Sequence, residues 1–160
     1  MSRLNNKFFA INSHTTTSGS NLSEYWPGLT TTDKPFNNPG YKQLRVYTNR
    51  TAETGVCTLD VILQELDVAS NLWIDCRGQD GNVVDGVTYT DGLVETTAVH
   101  KLVVGNNVLT DEVAINGYAV INTVEAWFNY VLPQFFRIKF LSGGTTVTNT
   151  FSATIYLLDG

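Results

Sequence analysis

Apolar and polar positions alternate with a period of two through most of this chain, most cleanly between Cys57 and Cys76. Leu59, Val61 and Leu63 alternate there with Thr58, Asp60 and Gln64, the spacing that puts one set of side chains on the buried face of a strand. A polar turn over Asp67 to Asn71 interrupts the pattern. It resumes with Leu72, Ile74 and Cys76 on one face and Trp73 and Asp75 on the other. The segment therefore predicts a β-hairpin that covers a hydrophobic core.

The same cadence predicts further strands near 43–48, 82–90, 93–104, 118–131, 135–141 and 147–158. Turn signals separate them at Asp80-Gly81, Asp85-Gly86, Asp91-Gly92, Asn116-Gly117 and Gly143-Gly144, pairs that supply the positive backbone angles of tight reversals. Only Thr110 to Ile115 resembles a helix start, and Asn116-Gly117 ends it as a short connector. Near the C-terminus Phe136, Ile138 and Phe140 share a face opposite Arg137 and Lys139, and a return strand offers Phe151, Ala153, Ile155 and Leu157. Read together they form a closing hairpin with a buried last strand, so truncation there is expected to unfold the domain.

Many short strands with turns between them predict an all-β fold, an antiparallel, jelly-roll-like β-sandwich. Residues 1–40 differ: Thr15 to Ser20, Thr30 to Thr32 and Pro35 to Gly40 are punctuated by turns and lack sustained periodicity. They read as an extended N-terminal arm ahead of a sandwich domain at 41–160. The arm nevertheless carries Phe8, Phe9, Tyr25 and Trp26, more ring surface than a solvated linker holds, and these residues are the expected partner-binding set.

Composition narrows the function. The chain of 160 residues is 42% hydrophobic, enough for one domain with a real core, and its 10 Lys+Arg against 15 Asp+Glu leave it at −5. No basic cluster is dense enough to neutralise a run of phosphates, so direct nucleic-acid binding is not expected. Charged residues make up only 16% of the chain, which leaves a surface of neutral polar groups suited to lasting contacts with neighbours. No apolar run reaches the length of a membrane helix, and the first residues lack the hydrophobic segment of a secretory signal. Folding in a cytoplasm, with no membrane partner, is the expectation.

Chemistry is sparsely signalled. Cys57 and Cys76 are too few for a disulfide framework, and a turn at Asp67–Ser70 puts them out of register by about 13 Å along the strands; they read as two buried free thiols. His14 sits in the Thr-rich arm and His100 in a strand, read as an ordinary surface or edge histidine. Asp80, Asn82, Asp85 and Asp91 begin like a calcium loop, but Val84 and Asp85 stand where that loop needs a ligand and a glycine. Hairpin turns explain them instead. The sequons at Asn21 and Asn49 fit no secretory context. No phosphate loop, dinucleotide fingerprint or zinc spacing is present. Catalytic residues, metals and cofactors are not expected, and the chain reads as no enzyme.

Two segments carry a family resemblance. Leu59-Asp-Val-Ile-Leu-Gln64 followed by Asn71-Leu-Trp-Ile-Asp75 resembles the "x-L-x-V-x-L-Q" strand and "N-x-W-I-x" return of β-sandwich virion proteins of tailed bacteriophages. Pro133-Gln-Phe-Phe-Arg-Ile-Lys-Phe140, a Gly turn, and Phe151 to Leu157 are similar to the hairpin that closes those modules. The turn departs from the family, with Asp67-Val-Ala-Ser70 in place of Asp-Gly. The resemblance implies a structural virion protein, either a head decoration or cement protein or a neck, fibre or baseplate module. It would be located in the virion, oligomeric, and in contact with the major capsid or other virion proteins. In a carbohydrate- or receptor-binding alternative, exposed Trp73 or Trp127 would stack on sugar rings.

Overall fold

The computed structural model describes residues 4–32, 34–78, 80–90, 99–106 and 123–159. They form ten strands: β1 (Lys7–Thr15), β2 (Leu22–Trp26), β3 (Phe36–Asn37), β4 (Gln43–Thr54), β5 (Cys57–Asp67), β6 (Leu72–Asp75), β7 (Val99–Gly105), β8 (Thr123–Asn129), β9 (Phe135–Gly144) and β10 (Thr148–Leu158). One sheet has the order β1-β10-β4-β7-β8; the other has the order β2-β9-β5-β6, with β3 also paired to β9. The protein is thus all-β with two sheets. Among the described residues no helix is long and apolar enough to cross a membrane.

Alternation along the central strands builds one core between the sheets. Leu44 and Val46 of β4, Leu102 and Val104 of β7, and Phe151, Ile155 and Leu157 of β10 point inward from the first sheet. Leu59 and Leu63 of β5, Phe136, Ile138 and Phe140 of β9, and Trp26 of β2 meet them from the second. Phe140 and Phe151 stack across the gap with ring centroids 4.7 Å apart. Within the second sheet, Val61 lies opposite Phe140 and Leu63 opposite Ile138, so the apolar sets of the two central strands fall on the same face.

At one end the chain passes between sheets at each of β1–β2, β4–β5 and β9–β10. A Cβ at Gly144 (φ 126°) would run into the Val56 carbonyl there, so only glycine lets the two turns sit against each other. Where the strands part, side chains replace the ladder. Asn149 is fully buried; its Nδ2 donates to the Thr58 carbonyl (3.1 Å) and to Ser142 Oγ (2.9 Å), and its backbone N–H donates to Thr16 Oγ1 (2.9 Å). Arg50, equally buried, donates to Asn149 Oδ1 (3.4 Å) and the Thr90 carbonyl (2.7 Å) and pairs with Glu53 at 3.0 Å.

Several expectations change. The 1–40 segment is no free arm: β1 pairs with β10, and β2 and β3 pair with β9, because its short alternating runs complete sheets that the rest of the chain leaves open. The Phe136–Leu157 unit is no single-sheet hairpin. Its strands separate, β9 to β5 and β10 to β4, since a turn signal dictates reversal and not the sheet in which the return strand lies. Among the described strands pairing is antiparallel except for β7 and β8, which run parallel. The expected strand at 82–90 is an extended strap tied to β5 through Leu63 N to Val84 O (2.9 Å), Gly86 N to Val61 O (2.8 Å) and Tyr89 N to Leu59 O (2.9 Å).

The opening hairpin is present, with Asp67 opposite Leu72 and Gln64 opposite Asp75. Cys76 N–H donates to the Leu63 carbonyl at 3.0 Å, so the two cysteines stand about 20 Å apart along the strand, further than the expected turn allowed. Both are buried, and no disulfide joins them. Leu72 and Ile74 do not reach the core: Leu72 is 62% exposed, because the hairpin tip overhangs the opposite sheet. The 110–115 connector, Asp91-Gly92 and Asn116-Gly117 lie outside the described residues.

Asn149→Ala would strip partners from Arg50, Ser142 and the Thr58 carbonyl in a buried site. It is expected to lower the unfolding free energy by about 3 kcal/mol, whereas Thr150→Ala on the outer face stays within about 0.5 kcal/mol. Urea denaturation followed by tryptophan fluorescence measures both.

Candidate functional site

The outward positions of the first sheet carry a row of side chains that crosses every strand, with rings on four of them and a lysine on β7. Phe8 of β1 lies opposite Tyr156 of β10, ring centroids 6.3 Å apart. Tyr156 meets Tyr47 of β4 edge-on at 5.5 Å. Lys101 of β7 places its Nζ 5.5 Å from the Tyr47 ring and 4.8 Å from the Trp127 ring of β8. Two cations of this face are held within it: Lys101 faces Glu125 at 3.9 Å, and Arg45 Nε donates to Gln43 Oε1 at 2.8 Å. Threonine pairs flank the row, Thr15 with Thr150 at 2.8 Å and Thr54 with Thr148 at 2.6 Å. The result is a rigid, nearly neutral surface, whose most open member is Phe8 at 68% exposure.

The second sheet presents a cation instead. Buried Arg137 lies between the Tyr25 ring (3.5 Å) and the Trp73 ring (4.2 Å) and donates through Nε to Gln64 Oε1 (2.7 Å). Gln64 Nε2 in turn donates to Asp75 Oδ1 at 2.6 Å. Two aromatic faces and a polarised amide compensate the desolvated guanidinium, so this unit fastens β2, β9, β5 and β6 side by side. Beside it, Asp60 of β5 faces Asp85 of the strap. Burial, then the charge of Asp60, pushes the Asp85 carboxyl from its ordinary 3.8 up to about 6. Burial also raises Asp60, against the opposing pull of the Val61 N–H, Thr88, Asp85 and Lys139.

The four expected partner-binding residues separate. Trp26 is 5% exposed and belongs to the chain's own core; Phe9 packs against it at 5.3 Å and against Phe36 at 6.4 Å. Tyr25 is engaged by Arg137. Trp26 is thus taken up by the core, Phe9 and Tyr25 are engaged but half-buried, and Phe8 is the most open of the four. Trp73 and Trp127 each carry a cation against one face of the ring, which occupies that face.

The histidines are structural. His14 Nε2 meets Glu24 Oε2 at 2.8 Å, with Glu24 Oε1 accepting the Thr17 N–H at 2.6 Å, so the pair ties β1 to β2. His100 is no surface residue: it is 7% exposed, stacked on Tyr89 at 3.5 Å and hydrogen-bonded to the Val87 carbonyl, because the strap covers its strand. Asp80 accepts from the Asn82 backbone N–H (3.1 Å) and side-chain amide (2.7 Å), a turn geometry. Asp91 lies outside the described residues, and among those described no group of three or more His, Cys, Asp or Glu could hold a metal ion. Burial pushes the Cys76 thiol up to about 12, far from the thiolate that reactive cysteines need.

Arg50, Arg137, Asp60 and Asn149 carry much of this architecture, yet none stood out in the sequence. Arg137 alternates with Phe136 and Ile138 as an outward residue should, and nothing local announces the two rings that enclose it. Comparison with protein-family models, with curated proteins and with solved structures finds no match to the chain.

The unfolded Asp85 carboxyl titrates near 3.8 and the folded one near 6. The native state therefore holds the extra proton between these values, and stability falls as pH rises through them. Asp85→Asn is expected to raise stability at pH 7 by about 1 kcal/mol, after allowance for the site's solvent exposure, and to change nothing below pH 3.8. Thermal melts from acid to neutral pH give the comparison.

Proposed function

We propose that the chain is a structural, non-catalytic virion protein of a tailed bacteriophage, a jelly roll that decorates or cements the capsid. The observation that carries this reading is the strand order. With β3 and β8 set aside as additions, β1-β10-β4-β7 opposes β2-β9-β5-β6, the eight-stranded double Greek key of viral capsid and lectin jelly rolls. The two sequence segments that resemble phage virion modules form β5–β6 and β9–β10, so the resemblance falls on the internal strands β5, β9 and β10 of that order and on the edge strand β6. The capsid is gripped by the outer face of the first sheet, where Phe8 and Tyr156 offer apolar area on a neutral, threonine-rich ground. The segment before residue 40 contributes Phe8 to that face and is otherwise part of the scaffold.

Mass spectrometry of gradient-purified particles from cells expressing the chain is expected to find it at a fixed copy number relative to the major shell protein; its absence would refute the assignment. Phe8→Asp leaves the core untouched and is expected to reduce incorporation at least about tenfold, the loss of some 1.4 kcal/mol of contact energy.

A further inference from the structure

One end of the molecule joins two features that complement each other. The first is a groove made of two adjoining hollows of about 430 and 410 Å³ that share Asn106 and Val131. Lys42 and Arg77 stand on its walls with the amides of Asn129 and Gln134, and among the described residues no carboxylate lines either hollow, although the chain as a whole carries −5. Val131 is 71% exposed on its rim. The second is the overhanging tip of the β5–β6 hairpin. Ile74 lies opposite Glu65 and Leu72 opposite Asp67, so these four side chains share one face of the ribbon, and Val68 projects from the turn as another open apolar residue. The tip is acidic and apolar; the groove is cationic, amide-rich and apolar at its rim. Tyr130 of the groove donates to Glu65 Oε1 at 3.3 Å, which puts tip and groove side by side.

We infer that this end is a self-association surface, on which the β5–β6 tip of one copy enters the groove of a second copy and receives that copy's tip in return. Charge complementarity names the occupant. A tip with Glu65 and Asp67 around Leu72 and Ile74 matches a groove with Lys42 and Arg77 around Val131, and both halves belong to the same chain. Because they abut, a single two-fold axis between them satisfies both junctions at once, the isologous arrangement. Burying Leu72, Ile74 and Val131 in this way removes apolar surface that a monomer leaves in water. The contact is independent of the virion assignment, since it requires only copies of this chain.

Sedimentation equilibrium on the purified full chain tests it. The wild type is expected at a mass twice 17.7 kDa as concentration approaches about 100 µM, which populates any contact of micromolar Kd. Leu72→Lys sets a cation against a cationic groove, and Val131→Asp sets an acid against an acidic tip; each alone is expected to sediment as a monomer with an unchanged circular dichroism spectrum. Mixed in equal amounts, the two are expected to pair, because one junction is native and the other joins Lys to Asp. A wild type that stays monomeric at this concentration, either variant remaining as dimeric as wild type, or a mixture that stays monomeric would overturn the proposal. Arg77→Glu, an exposed change, should weaken association at least fivefold and serves as the check should either variant fold poorly.

Discussion

The architecture depends on the hydrogen bonds of one buried amide. A two-sheet fold whose chain changes sheets at every turn of one end must abandon its backbone ladder there, and each abandoned N–H or carbonyl is costly unless a side chain takes it up. Asn149 reaches Thr58 of β5 and Ser142 of β9, while Thr16 accepts its backbone N–H and Arg50 of β4 approaches its carbonyl oxygen. Both sheets and the segment after β1 thus meet at one residue. An aliphatic replacement of equal size would fill the space and keep the backbone bond to Thr16, yet it would take a partner from the Thr58 carbonyl, Ser142 and Arg50, so packing alone cannot substitute for it.

That cluster also governs how the open sides of the sheets are protected. Arg50 binds the Thr90 carbonyl, with its guanidinium 5.1 Å from the Tyr89 ring, and Tyr89 belongs to the strap that completes the pairing of β5. The strap is therefore anchored at its far end by the polar cluster, while mid-way the Asp60–Asp85 pair tolerates close approach only when Asp85 is protonated. On the first sheet, β1 shifts register between Ile11 and His14, a bulge that blunts an otherwise ready edge. With β5 covered and β1 kinked, strand addition is discouraged along these sides, and contacts with other molecules fall to faces and ends.

What was legible in the sequence follows from the range of each signal. Alternation is local, so Leu59-x-Val-x-Leu63 and Phe136-x-Ile-x-Phe140 announced their strands and inward faces, and the Asp67–Asn71 turn announced the β5–β6 reversal. Strand partnership is not local. Nothing between Phe136 and Leu157 says that β9 goes to β5 and β10 to β4, because the turn chemistry of a corner between sheets resembles that of a hairpin within one. The rings before residue 40 were legible as groups needing burial, but a short strand that completes a distant sheet looks in isolation like an arm. Arg137 and Asn149 illustrate the remainder: each sits at an unremarkable polar position, and its role arises from side chains remote in the chain.

The distribution of open apolar side chains then bears on how such a molecule meets others. Val56 and Val87 are exposed singly, as in any soluble surface. Phe8 and Tyr156 are exposed as neighbours on one face; Val68, Leu72, Ile74 and Val131 are exposed together at one end. The face carries few charges, and its two open rings lie on the paired strands β1 and β10. The end is charged in two opposed halves, which favours a partner bearing the same two halves reversed. A face suited to a foreign surface and an end suited to a copy of itself are the two separate contacts that the proposed role on a shell would require. Neither surface borrows residues from the Asn149 cluster, so both can vary in sequence while the scaffold remains intact.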